Sequence, residues 1–481
     1  MLKQLFATRS VDAIVQELDA GPKLNRVLSA RALTAIGLGS TIGSGIFILT
    51  GTVAAQHAGP ALMLSLLIAA MGSGFAAICY AEFAAMIPVS GSAYTYAYAT
   101  LGEVIAWFIG WNLTLEYMMS ASAVAVGWSE YMSNLLSGWG IHLPDALSNA
   151  PFDKGADGHL ALTGALINLP AVLIVVLLGA VCYVGVRESA GFNSAMVLIK
   201  CVVIVIFILA GIAFVDTSNW HPFIPPNEGA FGKFGWSGVM MGSSVIFFSY
   251  IGFDAASTTA REARNPKRDV PLGILAALGI SAVLYIAMAA VMTGMVPYPQ
   301  LDTEAPVAVA LDAHPQLAWL SGWLKVGAIV GMTSVILMSL LGQPRIILSM
   351  AEDGLVPPAL SAVHAKFRTP HIATLVTVIG AATIAGLFPL HVLGELISIG
   401  ILLAFTIVCI GVLVLRHTRP DLQRPFRVPY APITCTLGAL TCIAMMGFLP
   451  PDTWWRLGIW SLIGLSIYAA YGYRHSRLRK R

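Results

Sequence analysis

Few side chains in this sequence have both the chemistry and the setting to act, and the first group would work through its main chain. Gly43-Ser44-Gly45-Ile46-Phe47 interrupts an apolar segment otherwise long enough to be one helix. Each glycine costs a helix about 1 kcal/mol relative to alanine. A second apolar segment is interrupted at Phe247-Phe248-Ser249-Tyr250-Ile251-Gly252-Phe253-Asp254. A helix broken at such points leaves amide N–H groups at one half-helix end and carbonyls at the other. Those ends attract a carboxylate and an ammonium or other cation, respectively. Alongside stand ionisable residues inside or at the ends of apolar runs: Lys200, Glu116, Glu82 and Asp254. A lysine held away from water can exchange its proton during a working cycle. A carboxylate in such a run binds a cation, pairs with another group or serves a gate. Binding and proton exchange are therefore the chemistry on offer. There is no GxxxxGK[ST], no HExxH and no nucleophile elbow. The six cysteines fall in apolar stretches without CxxC spacing and read as packing residues. Neither an enzyme nor a metal or cofactor is expected.

The elements that must carry these residues are membrane helices. The chain of 481 residues is 57% hydrophobic and 11% charged, where a soluble chain carries about 25% charged residues. Single soluble cores rarely exceed about 250–300 residues, and a lipid cover on a polytopic protein answers both points. A span needs about 20 apolar residues. Twelve such segments are read near 33–55, 61–86, 98–127, 168–186, 194–215, 237–260, 271–296, 318–349, 371–388, 391–415, 430–449 and 455–473. An even number puts both termini on one side, and the basic residues say which. Of the 27 Lys and Arg, 22 fall on one face, in the N-terminal stretch, at Arg187, in the Arg261–Arg268 loop, at Arg345, Lys366 and Arg368, in the Arg416–Arg427 loop and in the Arg474–Arg481 tail. Lys154, Lys233 and Arg456 fall on the other face, while Lys200 and Lys325 lie in or at the edge of spans. A multi-pass protein of the cell inner membrane with both termini cytoplasmic is expected. No cleavable signal peptide is apparent, and the first span would serve as the insertion signal. The net charge of +3 is too small to suggest nucleic acid. Only loops 128–167 and 216–236 are long, so separate soluble chemistry is not expected.

The two interruptions occupy similar places in the first and sixth segments. Four segments lie between them, so they cross the membrane in opposite directions. Paired breaks in corresponding positions of two halves are the best sequence pointer to an inverted-repeat transporter site. An α-amino acid carries both charges at fixed spacing and fits such a cradle without a charged side chain. The competing reading is that the glycines only permit close helix packing.

An ordered set of motifs joins these features. It comprises Gly43 to Phe47, Ala81-Glu82-Phe83, Pro88-Val89-Ser90-Gly91-Ser92-Ala93-Tyr94, Trp111-Asn112 with Glu116-Tyr117, and Ser249 to Asp254. It continues through Glu262, Asn265-Pro266, Arg268 to Pro271, Ala351 to Gly354 and Ser398-Ile399-Gly400. From about residue 30 to 430 the chain resembles amino acid permeases of the amino acid–polyamine–organocation superfamily, nearest the bacterial relatives of cationic amino acid transporters. Arg261 departs from the acid expected in that loop. The resemblance implies the leucine-transporter fold: an all-α membrane protein with two inverted five-helix repeats, at 33–215 and 237–415. The cytoplasmic segment 1–32, two additional helices at 430–473 and a basic tail at 474–481 complete the chain. The resemblance also implies a proton-coupling role for Lys200, with its amine bracing the first break, and a substrate-side or gating role for Glu116. Main-chain groups of Ile42, Gly43, Ser44, Gly45 and Ile46, and of Phe248, Ser249, Tyr250, Ile251 and Gly252, would hold the substrate. Met332 would line its side-chain pocket.

Several residues keep two readings. Lys200 is about seven residues from the cytoplasmic end, roughly 10 Å at 1.5 Å per residue, so snorkelling competes with proton transfer. Glu82 is either a cytoplasmic gate or a structural partner of the basic loops. Asp254 either caps the helix after the second break or gates it. Phe247, Phe248, Tyr250 and Phe253 either close the site from outside or simply pack, and Glu395 reads as a solvated edge. The function expected is secondary active transport of an amino acid, with the proton as coupling ion and the bilayer as setting, by a chain acting as a monomer. Sodium coupling or obligate exchange is the first alternative. A non-transporting amino acid sensor on a permease scaffold is the alternative of another class.

Overall fold

Long apolar runs with few charges satisfy their backbone groups internally as helices, and almost every element here is helical. The computed structural model describes residues 6–11, 14, 28–87, 91–154, 160–184, 189–303 and 305–480. Lys3, Lys23, Arg26, Pro88, Val89, Ser90, Arg187 and Arg481, and the side chains of Arg261 and Glu395, lie outside this description. The first segment comprises α1 (Ala30–Thr41), a π-helical turn (Gly45–Leu49) and α2 (Thr50–Val53). Then come α3 (Leu62–Met86), α4 (Ser92–Thr100), α5 (Glu103–Gly138), α6 (Leu169–Val184) and α7 (Ser189–Gly211). The sixth segment is α8 (Gly235–Ile246), a 3-10 turn (Phe247–Tyr250) and α9 (Ala255–Thr258). The rest is α10 (Pro266–Met295), α11 (Pro306–Asp312), α12 (Ala318–Glu352), α13 (His371–Leu387), α14 (Leu390–Thr418), α15 (Ala431–Phe448) and α16 (Pro451–Ile467). One two-stranded hairpin, β1 (Phe152–Lys154) with β2 (Leu160–Leu162), lies in the long 128–167 loop.

Among the described residues, seven helical stretches are long and apolar enough to cross a membrane, and α6 and α13 are apolar but shorter. The expected segment at 98–127 differs in detail. Gly102, at φ +98°, ends α4 and starts α5 afresh, and α5 carries Glu103, Glu116 and Glu130 along its 36 residues. Large apolar side chains such as Leu177, Leu198, Leu209 and Val283 stand exposed on α6, α7 and α10, as lipid contact requires and water does not favour. This is a multi-pass, all-α membrane protein.

Inside, α5 packs along α12 and α14, α10 along α1 and α3, and α7 against α12. The polar anchors gather at one end of the bundle. Glu82, buried at the end of α3, accepts from Arg416 Nε at 3.1 Å and Nη2 at 2.5 Å and from the Val428 N–H at 2.7 Å. Asp353, after α12, accepts from Arg9 Nη1 at 2.8 Å, and from Tyr94 Oη on α4 at 2.7 Å. Its carbonyl accepts from the Arg477 N–H at 3.0 Å. Glu103 accepts from Tyr98 and Tyr468 at 2.9 and 2.7 Å and from the Ser476 hydroxyl. The described beginning and end of the chain therefore meet on one face.

The first and sixth segments both break where the residue types imply. Ile42 leaves the helix at ψ 103°, and the chain resumes as the Gly45–Leu49 π-turn. In the sixth segment Ile251 is extended at ψ 142° and Gly252 takes φ +109°, a conformation that glycine enters without penalty. The two breaks touch. A Cβ on Gly45 would lie 2.7 Å from Ser249 Cα, and one on Gly252 would lie 2.7 Å from the Ser40 carbonyl carbon. Further along, Gly242 meets Val53 and Gly238 meets the His57 carbonyl. As one segment ascends from 40 to 57 the other descends from 252 to 238, so they run antiparallel.

Two stability outcomes follow. Gly45→Ala forces a methyl into Ser249 and is expected to lower the melting temperature in detergent, at an overpacking cost of about 1–3 kcal/mol. Gly74→Ala, inside α3 with nothing within 4 Å, is expected to raise it slightly, because alanine is favoured over glycine in a helix by about 1 kcal/mol. Glu82→Ala strands Arg416 and also Arg424, whose Nε lies 3.4 Å from the carboxylate, and is expected to cost roughly 2 kcal/mol. That lies below the about 3–5 kcal/mol of fully buried pairs, because the Arg416 side chain keeps 27% exposure.

Candidate functional site

A broken helix end must find donors for its carbonyls, and at the end of α1 each donor comes from a different helix. The Leu38 carbonyl accepts the Ile42 N–H at 3.1 Å. Lys200, on α7 and fully buried, donates from Nζ to Gly39 O at 2.8 Å, Ile42 O at 2.9 Å and Ser334 Oγ at 2.9 Å. Ser334, on α12, also lies 3.0 Å from Gly39 O and 2.8 Å from Gly331 O. Thr41 O accepts from Tyr285 Oη of α10 at 3.0 Å. Beyond the break, Phe47 O, freed by the wider π-turn, accepts from Tyr131 Oη of α5 at 2.8 Å. An ammonium has three N–H donors, and Lys200 has three acceptors in reach. Its stem lies against Gly331, where a Cβ would stand 3.3 Å from Lys200 Cδ.

Ile42, Gly43, Ser44, Gly45 and Ile46 are all buried beside Phe248, Ser249, Tyr250 and Ile251. The hydroxyls of Ser44 and Ser249, one at each break, are buried without a hydrogen-bond partner. Buried hydroxyls are ordinarily satisfied, and here two unpartnered ones fall at one junction. Met332 on α12 is buried. Met332 and Ser44 both border Gly127 of α5, where a Cβ would lie 3.4 Å from Met332 Sδ and 3.1 Å from Ser44 Cβ.

The two membrane acids sit together at the opposite side of the break. Ser40, Glu116, Tyr117, Gly252 and Asp254 line an enclosed cavity of about 20 Å³, room for about one water. Tyr117 Oη donates to Asp254 Oδ2 at 3.4 Å. The capping role expected for Asp254 is not realised: its side chain makes no cap bond to α9, because the residue is itself helical and its carboxylate turns toward Tyr117. Glu82 is not in the site. It is engaged by Arg416 and Val428, the pairing with a basic loop that is one of its two readings.

The aromatic residues of the second break are packed into the bundle. Phe253 lies 5.2 Å from Phe405 and 6.2 Å from Tyr80, and Phe247 lies 5.7 Å from Phe405. Tyr250 donates to Leu66 O at 3.1 Å and meets the Tyr285 ring at 5.3 Å. They anchor the break to α3, α10 and α14. Cavities approach from both ends. An open one of about 640 Å³ is bordered by Ile48, Thr52, Val126, Glu130 and Asp302. On the other side, about 70 Å³ is bordered by Ile36, Asn193, Glu262, Met338 and Arg345. Among the described residues no cluster of His, Cys, Asp and Glu has the makings of a metal site. Ser334, Tyr285, Tyr131 and Gly127 escaped the sequence reading, and Tyr117 entered it only as part of a motif. Each is an ordinary helix residue, and only its position in the fold gives it a role.

The chain matches the amino acid permease family over residues 28–468. A methylthioribose transporter of Bacillus subtilis (strain 168) is 43% identical over 479 residues, covering 100% of both chains. The branched-chain amino acid permease BcaP of the same organism is 42% identical over 481 residues, again 100% of both. A vacuolar cationic amino acid transporter 2 of Arabidopsis thaliana is 38% identical over 403 residues, 84% of this chain and 62% of the relative. The breaks, Lys200, Glu116 and Asp254 all lie within the matched span. The chain is a transporter, not an enzyme, and belongs to the amino acid permease family.

Proposed function

We propose that this protein carries an amino acid across the cell inner membrane together with protons, by alternating access around the two breaks. The arrangement is twelve spans, ten of them in two inverted five-helix repeats at 33–215 and 237–415. Both termini face the cytoplasm. The antiparallel contact between first and sixth segments supports the inverted repeat, and the shared face of the arginine-rich ends supports the orientation. The observation that carries the reading is the Lys200 amine bridging Gly39 O, Ile42 O and Ser334 Oγ, beside two unpartnered serine hydroxyls. The substrate carboxylate and amine bind the main-chain groups of residues 42–46 and 248–252. Loss of the Lys200 proton leaves two N–H donors for three acceptors and turns a lone pair toward a carbonyl oxygen. The first break is then released from α7 and α12.

Glu116 and Asp254 serve the inner gate. Eleven residues of α5 separate Glu116 from Gly127, about 16 Å at 1.5 Å per residue, which places the acid away from the Ser44–Met332 side. A second reading, transport of a methylthioribose-like solute, is favoured by the 43% identity to a protein of that name.

Uptake into proteoliposomes with and without a pH gradient, competed by a panel of amino acids and methylthioribose, tests the substrate and the coupling. Lys200→Met is expected to reduce gradient-driven accumulation at least about tenfold, the size of one lost charged hydrogen bond. Undiminished proton-driven accumulation would remove Lys200 from the coupling. Glu116→Gln is expected to slow alanine and arginine uptake to the same extent, whereas a selective loss of arginine would make Glu116 a reader of the substrate side chain.

A further inference from the structure

The cavity of about 70 Å³ lies where the inner halves of the broken segments meet their neighbours. Ile36 of α1 and Thr258 of α9 border it on one side, and Asn193 of α7 with Met338 and Arg345 of α12 on the other. At about 10–15 Å³ for each water it has room for about five, about as many as the heavy atoms of glycine or alanine. Its wall is partly apolar with a few polar groups among the rest, as in small-molecule sites. Asn193 is 1% exposed. Its Nδ2 donates to Ala35 O of α1 at 3.2 Å, while its Oδ1 is buried without a partner. A buried amide oxygen ordinarily has a donor, and the cavity that Asn193 lines is the space from which one can come. Thr258 and Thr259, also in the wall, have given their hydrogens to Ala255 O at 2.8 Å and Ala256 O at 3.1 Å. They offer the cavity lone pairs only. Glu262 and Arg345 face each other at 3.8 Å with side chains 32% and 35% exposed, too far apart for a hydrogen bond. The cavity therefore presents acceptors at Asn193, the two threonines and Glu262, and a strong donor at Arg345. That is the complement of an ammonium joined to a carboxylate.

We propose that this cavity is a release site for a small amino acid on its way to the cytoplasm: Asn193 Oδ1 and Glu262 take its ammonium and Arg345 takes its carboxylate. The proposal rests on the amino acid reading and the orientation given above. Glu262 and Arg345 separate to admit the ligand, and each exchanges the other for a charge of the ligand, so neither is left unpaired. A plain latch between Glu262 and Arg345 is the competing account, and the two differ in sign. Breaking a latch on the inner side shifts the population toward the inward-open state. That lowers the half-saturating concentration at the cytoplasmic face relative to the outer face. Removing a release site raises it.

The test is uptake of labelled alanine, without an imposed gradient, into right-side-out and everted membrane vesicles carrying the full chain. The half-saturating concentration is read at each face, with a melting temperature for each variant. Asn193→Asp and Asn193→Leu both lose the N–H that holds Ala35 O, and they differ in the acceptor left for the ammonium. The cytoplasmic-to-outer ratio of half-saturating concentrations is expected to be about tenfold higher in Asn193→Leu than in Asn193→Asp, the size of one hydrogen bond to a charged group. Equal ratios in the two overturn the proposal. Glu262→Gln is expected to raise the ratio above that of the wild type. A ratio that falls makes the pair a latch and overturns the proposal, and an unchanged ratio overturns it as well. If the Asn193 variants do not fold, Glu262→Gln decides alone. A wild type that takes up no alanine at either face overturns the functional reading, and this inference with it. A wild type that transports alanine while its variants fail these comparisons overturns this inference alone.

Discussion

The structure depends on a contact that only missing side chains allow. Two helices are broken at one level of the bundle and laid antiparallel, with Gly45 against Ser249 and Gly252 against Ser40. A break within a membrane is tolerable only if its freed backbone groups are covered by protein or face a ligand. The contact covers part of each break with the other, and the rest of the molecule covers what is left. Tyr285 and Tyr131 take one carbonyl each, Lys200 takes two, and Tyr250 ties the second break to the Leu66 carbonyl. Four helices, α5, α7, α10 and α12, thus converge on the first break because its geometry requires donors.

Among these donors Lys200 is of a different kind. A tyrosine hydroxyl offers one hydrogen bond in every working state, whereas an amine offers three donors when charged and two when neutral. Hydrogen bonds from charged donors contribute about 1.5–3 kcal/mol each, against about 1 kcal/mol for neutral ones. A change of protonation at Lys200 is therefore large enough to shift the hold of α7 and α12 on the first break by a factor of ten or more. The wider stabilisation of the bundle, by apolar packing and by the Glu82, Glu103 and Asp353 anchors, stays as it was.

How much of this could be read beforehand divides by range. The breaks were legible because glycine and serine in apolar runs violate a local rule, and Lys200 because a charge there violates another. The partners of those residues were not. Ser334 lies 134 residues from Lys200, and nothing in its own surroundings marks it, whereas Arg416, 334 residues from Glu82, stands in a basic loop that was one of the two readings for that acid. Asp254 was misread in one respect because aspartate before a helix ordinarily caps it. A tyrosine of α5 competes for the carboxylate, and tertiary contact prevailed over local preference. The π-turn at Gly45–Leu49 was also invisible, since its wider spacing answers to the fit of Ile48 and Phe47 against α5 and not to residue type. The seven spans satisfying length and composition fall short of the twelve expected for a related reason. The first two expected segments fall in one stretch, Gly45–Met86, helix α5 carries three acids, α6 and α13 are short, and α16 carries Asp452 and Arg456, so these last four depend on their neighbours as much as on their own apolarity.

The two kinds of contact respond to a proton in different ways. Gly45 on Ser249 and Gly252 on Ser40 are steric fits with no titratable member. The inner halves are joined as well: Leu28 accepts from the Arg264 N–H at 2.8 Å and donates to the Glu262 carbonyl at 2.9 Å. The chain entering α1 is thereby bound to the chain leaving α9. Lys200, by contrast, joins the first break to α7 through one amine, and Ser334 joins it to α12 both through that amine and by its own hydroxyl on Gly39 O. Under the proposed mechanism, deprotonation weakens the second joint and leaves the first intact. The two broken segments would then shift together against α7 and α12 as one body instead of parting from each other. That is the mechanical requirement for exposing one site to two sides in turn: the cradle keeps its shape while its surroundings change.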